Sequence, residues 1–279
     1  MTDKIRRVQD YIERLEEYRH MTVVFRGVDH EWRLLPTIVR SFCRRVCLER
    51  DGTLDQASTS VRLLEWVRGG MPLEARAIWS RADVNYEKTI FDSFKRQAQA
   101  YLARSFVNDW EWLAFAQHYG LPTRLLDWTK NPLAAAYFAV AGSLSDESHD
   151  SYVFVLRSDK LESGHLDMID LANTPTSSPL EWSKDRGVAR YIPAILDARM
   201  ACQQSVFTVA DPLEPFLAMA AERLDRIAID GKSRRFIRHQ LHRLGVNRAT
   251  LFPDVSSLAE NLMWVWEDYR VRRHTVGSS

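Results

Sequence analysis

The chain has 279 residues, 46% hydrophobic and 27% charged, with a formal net charge of +1. That balance suits a folded chain with a large core and supplies no global field to gather nucleic acid or an anionic membrane. No segment approaches 18 uninterrupted apolar residues, so no membrane span is expected.

Ile5, Val8, Ile12 and Leu15 recur at helical spacing and predict an opening helix, with Thr2 or Asp3 as its cap. Met21-Thr22-Val23-Val24-Phe25-Arg26-Gly27 is short, β-branched and stopped by glycine, which predicts a strand. Pro36 opens a helix to about Arg50, ended by the Asp51-Gly52 turn. Residues 55–118 are expected to be helical, broken once at Gly69-Gly70-Met71-Pro72. Trp112, Phe115, Ala116 and Tyr119 close that stretch on one face, and Gly120 caps it. Residues 121–129 predict a loop or short strand, and Asn131-Pro132 starts a helix through Val140.

Residues 143–150 are polar and predict a loop. Ser151-Tyr152-Val153-Phe154-Val155-Leu156 predicts a strand, as do residues 188–192 and Ser205-Val206-Phe207-Thr208-Val209. Residues 215–228, 233–244 and 256–269 predict helices, with Gly245 capping the second and a frayed tail from Arg272. The sum is an α+β fold: a small mixed or antiparallel sheet, with strands near 22, 123, 152, 190 and 206, surrounded by many helices. Cys43, Cys47 and Cys202 are too few and odd in number for a disulfide scaffold, and no histidine cluster joins them. Cys43 and Cys47 are expected as small core residues, with no metal. Residues 3–18 lack the apolar run of a signal peptide, and a cytoplasmic location is the expectation.

Three segments are unusually dense in chemistry-bearing residues. The first is Val24-Phe25-Arg26-Gly27 with Trp32, Leu34, Pro36 and Arg40. The second runs Gln117-His118-Tyr119-Gly120-Leu121-Pro122-Thr123-Arg124-Leu125-Leu126-Asp127-Trp128-Thr129, then Asn131-Pro132 and Ala135-Ala136-Tyr137-Phe138-Ala139. The third is Arg199-Met200-Ala201-Cys202-Gln203-Gln204-Ser205-Val206-Phe207-Thr208-Val209. Together with Leu251-Phe252-Pro253-Asp254, these resemble the FRG domain family, named for a Phe-Arg-Gly motif. The resemblance implies a domain over residues 20–262, preceded by a helix at 1–20 and followed by a helix end and tail at 263–279. One departure is visible: members usually carry glycine after the glutamine of the third segment, where this chain has Gln204-Ser205.

The residues themselves suggest roles. Arg26, at a strand end, offers a planar donor fork for phosphate or carboxylate, or a partner for a buried Asp127. Gly27 lets a ligand or a second backbone approach closely. His118, at a helix C-terminus, is either a general acid or base or a buried structural histidine. Asp127, between Leu126 and Trp128, must be paired or reactive, and Arg124 is its natural partner. Thr129, Asn131 and Pro132 make a helix start that can receive an anion. The basic stretch Lys232, Arg234, Arg235, Arg238 and Arg243 is a solvated face or a nucleic-acid contact.

A second resemblance is to ADP-ribosyltransferases, in which an arginine on the first strand holds NAD. It implies Arg26 on the phosphates, Thr123 or Thr129 at the nicotinamide ribose, and Trp128 or Tyr137 as the stacking aromatic. Asp127 or Gln203 would serve beside the ribose, since the expected third-motif glutamate is absent. Gly27 and Arg124 join the cofactor-binding set, and His118 the catalytic one. The function so implied is an NAD-using effector, a toxin or phage-defence protein modifying a protein or nucleic acid. A non-catalytic nucleotide sensor and a nucleic-acid-acting effector stand as alternatives.

Overall fold

The computed structural model describes residues 4–51, 56–102, 106–142, 149–158, 167–169, 173–214, 216 and 220–276. Among the described residues seven strands form one sheet: β1 (Val23–Val28), β2 (Leu126–Thr129), β3 (Ser151–Arg157), β4 (Asp167–Ile169), β5 (Ala189–Tyr191), β6 (Ser205–Val209) and β7 (Leu224–Ile229), in the order β4-β5-β6-β2-β1-β3-β7. Neighbours run antiparallel except β4 and β5, which are parallel. The expected α+β architecture is present.

Strand alternation divides the apolar residues between two layers. On one face Val24, Val28, Leu126, Trp128, Phe154 and Val206 pack with Ile38, Val39 and Phe42 of α2 (Thr37–Asp51), with Trp66 of α3 (Gln56–Gly69) and with Trp79 of α4 (Leu73–Ala98). On the other face Phe25, Val153, Val155, Ile227 and Ile229 meet α1 (Val8–Leu15) and α6 (Pro132–Val140), with α8 (Arg234–Arg243) behind them. A third cluster seats Trp110, Leu113 and Ala116 of α5 (Asp109–His118) against Tyr191, Phe207 and Val209. Further helices among the described residues are α7 (Ala198–Gln203), α9 (Arg248–Leu251) and α10 (Val255–Val276).

Gly27 sets how closely α6 lies on the sheet. A Cβ built there would stand 1.7 Å from the Ala135 carbonyl oxygen. Ala134, Ala135, Ala136 and Ala139 keep the facing helix equally slim. Of the two readings for Gly27, the second backbone is the one observed.

Two corrections apply. Residues 224–229 form β7 rather than the end of a helix. Leu224 and Ile227 fit a helical spacing, but Ile227 and Ile229 also alternate. The open edge of β3 takes the segment as a strand, from Leu156↔Leu224 to Ser151↔Ile229. The opening helix starts only at Val8, because Ile5 forms a bridge to Ile229, and Asp10 accepts from the Arg7 amide at 3.0 Å. The candidate caps Thr2 and Asp3, the polar stretch 143–148 and the side chain of Cys47 lie outside the described residues. Cys43 is buried and Cys202 exposed. No helix among the described residues is long and apolar enough to cross a membrane.

Candidate functional site

The site begins where β1 and β2 part. Their register among the described residues is the single pair Phe25↔Thr129, whereas β1 and β3 pair along the whole of β1. Beyond that pair the β2 backbone faces a gap, and its Asp127 carbonyl takes a donor from a side chain. Arg26 supplies it. One terminal nitrogen donates to the Asp127 carbonyl at 2.5 Å and the other to the Arg33 carbonyl at 2.8 Å. Arg26 thus ties β2 to the turn before α2. Burial pushes its guanidinium below the ordinary arginine range and Arg33 adds to this, while the Asp127 carboxylate, 3.7 Å away, pulls it back.

The opening is a cleft of about 480 Å³, within the ~300–1,000 Å³ typical of sites that enclose a small molecule. Asp127 points into it and is 55% exposed. The carboxylate accepts a hydrogen bond of 3.1 Å from the Gln117 side-chain amide, whose oxygen accepts from the Thr123 hydroxyl at 2.5 Å. Thr123 is fully buried, and its hydroxyl also accepts from the Leu125 amide. Thr123 therefore orients Gln117, which orients Asp127.

Four arginines line the cleft, Arg26, Arg33, Arg40 and Arg199, against two aspartates, Asp29 and Asp127. Arg33 pairs with Asp29 at 2.5 Å. Arg40 donates to the Thr37 hydroxyl at 2.9 Å. Burial, then repulsion from Arg26 and Arg33, pushes the Arg40 guanidinium down to about 10, so it is still charged at neutral pH.

The opposite wall is the β2–β6 join. The Thr129 hydroxyl donates to the Gln203 carbonyl at 2.5 Å and accepts from the Asn131 amide at 2.9 Å. The Gln203 side-chain amide donates to the Leu251 carbonyl at 3.0 Å, and Arg199 lies 4.7 Å over the Phe252 ring. The Leu251-Phe252 motif therefore braces the wall from behind. His118 also stands behind the wall, outside the cleft lining. It bonds to the Asp197 carboxylate at 2.5 Å, and Asp197 caps α7 by accepting from the Met200 amide. Burial lowers the His118 pKa more than the adjacent Asp197 raises it.

Of the residues singled out from the sequence, Arg26, Gly27, Asp127, Trp128, Thr129 and Gln203 meet at this cleft. Trp128 touches it from the core side: the residue is 3% exposed, and its indole N–H donates to Thr208 at 2.9 Å. Arg124 and Tyr137 lie elsewhere. Arg124 forms a buried two-pronged pair with Glu87 at 3.1 and 2.7 Å, so Asp127's cationic neighbour is Arg26 and not Arg124. Tyr137 is buried in the layer beneath α8, next to Arg238. The helix start expected to receive an anion is capped internally by Asn131, and α6 meets the cleft through Phe138 near its other end.

Gln117, Arg33, Arg40 and Arg199 also line the cleft and were not assigned roles from the sequence. Arginine identity alone is a weak signal, and only the fold brings these turns together. On the basic stretch, Arg234 is buried and Arg238 sits 4.5 Å over the Trp264 ring. Among the described residues no group of histidine, cysteine, aspartate and glutamate could hold a metal ion.

Residues 21–148 match the family model of the FRG domain, a span that runs from β1 past α6 and contains Arg26, Gln117 and Asp127. No curated protein and no solved structure matches the chain.

Proposed function

We propose, for a chain that carries an FRG domain, that the cleft binds NAD and cleaves its N-glycosidic bond, passing ADP-ribose to an acceptor macromolecule or to water. The observation that carries this reading is one exposed carboxylate, Asp127, facing an arginine-rich cleft across the split between β1 and β2. In the ADP-ribosyltransferase pattern the working residues come from a first strand, the next strand and a later one. Here Arg26 and Thr129 come from β1 and β2, while Gln203 ends α7 just before β6, and these three strands are neighbours.

In the reaction, the bond between the nicotinamide nitrogen and ribose C1′ breaks and its electron pair leaves with nicotinamide, which becomes neutral. C1′ acquires oxocarbenium character until the acceptor's nucleophile bonds to it and releases a proton. Asp127 stabilises the positive charge, held in place by Gln117 and Arg26. Arginines neutralise the pyrophosphate. Such chemistry suits a toxin or antiviral-defence effector.

A second reading has its own support. Gln203 brings an amide where the pattern calls for a carboxylate, and that amide is already bonded to Leu251. On this reading the cleft holds a nucleotide without cleaving it. Incubating the purified protein with NAD, with and without cell lysate, separates the two. Release of nicotinamide supports the enzyme, and NAD binding without release supports the sensor. No binding contradicts both.

A further inference from the structure

Arg26 is the arginine that a strand–arginine–glycine pattern offers to a phosphate, yet both of its terminal nitrogens are engaged by main-chain carbonyls. The cationic character open to a ligand lies one step further along the cleft. Arg33 is 43% exposed there and pairs with Asp29. Arg40 rises from the first turn of α2, and its buried Nε has no hydrogen-bond partner among the described residues. No carboxylate among the described residues forms an ion pair with Arg40. A cation held in a partly buried cleft beside two others is costly until an anion joins it. Thr37, in the same lining, adds a hydroxyl, and the start of the 15-residue helix adds its positive end.

We infer that Arg33, Thr37 and Arg40 form a phosphate subsite that takes the pyrophosphate of the bound nucleotide, and that Arg26 is a positioning residue which fastens this subsite to the Asp127 wall. The inference rests on the nucleotide reading of the cleft. Two linked phosphates match two guanidinium forks better than a single phosphate does. A ligand so held extends toward Asp127, on the other side of the Arg26 bridge.

The test uses inorganic pyrophosphate as probe, titrated calorimetrically into the full chain, with orthophosphate, AMP and ADP as further arms. Pyrophosphate and ADP are expected to bind at least about tenfold more tightly than orthophosphate and AMP, with affinity falling as salt rises. Arg33→Gln and Arg40→Gln should each weaken pyrophosphate by about tenfold, consistent with loss of one charge-assisted contact. If Arg40→Gln fails to fold, Arg33→Gln carries the test, because that side chain is partly exposed. Pyrophosphate that does not bind, or that binds equally to the variants, overturns the subsite. Pyrophosphate binding without nicotinamide release overturns the enzyme reading and leaves the subsite standing. NAD cleavage with an unchanged KM in Arg33→Gln and Arg40→Gln overturns the subsite and leaves the enzyme.

Discussion

The Arg26 guanidinium donates to the main-chain carbonyl of Asp127, which lies 101 residues later in the chain, at 2.5 Å. The same group reaches the Arg33 carbonyl, so one planar fork spans the gap where β1 and β2 part. It bonds the backbone of the residue whose carboxylate faces the cleft, and with that carboxylate it keeps a longer contact of 3.7 Å. Arg26 thereby sets the cleft's width as well as its charge.

Replacing Arg26 with alanine should leave two carbonyls without their donor, at ~1–3 kcal/mol each. A folded variant is expected, less stable by about 2–6 kcal/mol and without ligand binding. Arg26→Lys should recover little, because one ammonium cannot reproduce the fork. Urea denaturation followed by circular dichroism measures this. A variant as stable as the parent contradicts the bridge.

Gly27→Ala should be more damaging than its size suggests. The new methyl would overlap the Ala135 carbonyl, so α6 must lift from the sheet. A loss on the order of 3 kcal/mol or more is expected. The same denaturation series checks it, and an effect under about 1 kcal/mol would show that α6 shifts freely.

Much of this architecture is legible in the sequence where periodicity is local. The β-branched β1, the proline-started α6 and the apolar runs of β3 and β6 follow from neighbouring residues, although β1 continues through Gly27 to Val28. Residues 224–229 do not, because their apolar spacing suits both periods and only the edge of β3 selects the strand. The site divides in the same way. Arg26 and Asp127 stand out as polar groups in apolar surroundings. That Arg124 pairs with Glu87, 37 residues earlier, depends on how α4 packs, and no spacing rule reaches it.

The Arg124–Glu87 pair gives a control away from the cleft. Both side chains are almost fully buried, at 4% and 2% exposure. Arg124→Ala strands the Glu87 carboxylate and should cost ~3–5 kcal/mol. Arg124→Met with Glu87→Leu should recover most of that loss. Pyrophosphate affinity, measured on the folded double variant, should match the parent. A tenfold drop would put Arg124 in the binding machinery after all.

His118 should make stability pH-dependent in a defined direction. Burial lowers its folded pKa below the unfolded value of about 6.5. As pH falls through about 6.5 the unfolded chain takes up the proton first, so stability declines until pH reaches the folded value. His118→Gln should remove that slope. Comparing the melting temperatures of the two proteins from pH 7.5 down to pH 5 measures the difference, and parallel curves would contradict a buried neutral ring.

In the proposed reaction Asp127 stabilises positive charge at the ribose rather than merely holding a ligand. The most direct test of that role is Asp127→Asn, which keeps the shape and the Arg26 bridge to the main-chain carbonyl while removing the charge. The measurement pairs the rate of nicotinamide release with the Kd for NAD in the parent and the variant. A rate lower by on the order of 100- to 1000-fold is expected, with Kd nearly unchanged. An undiminished rate, or a loss confined to Kd, would contradict that role.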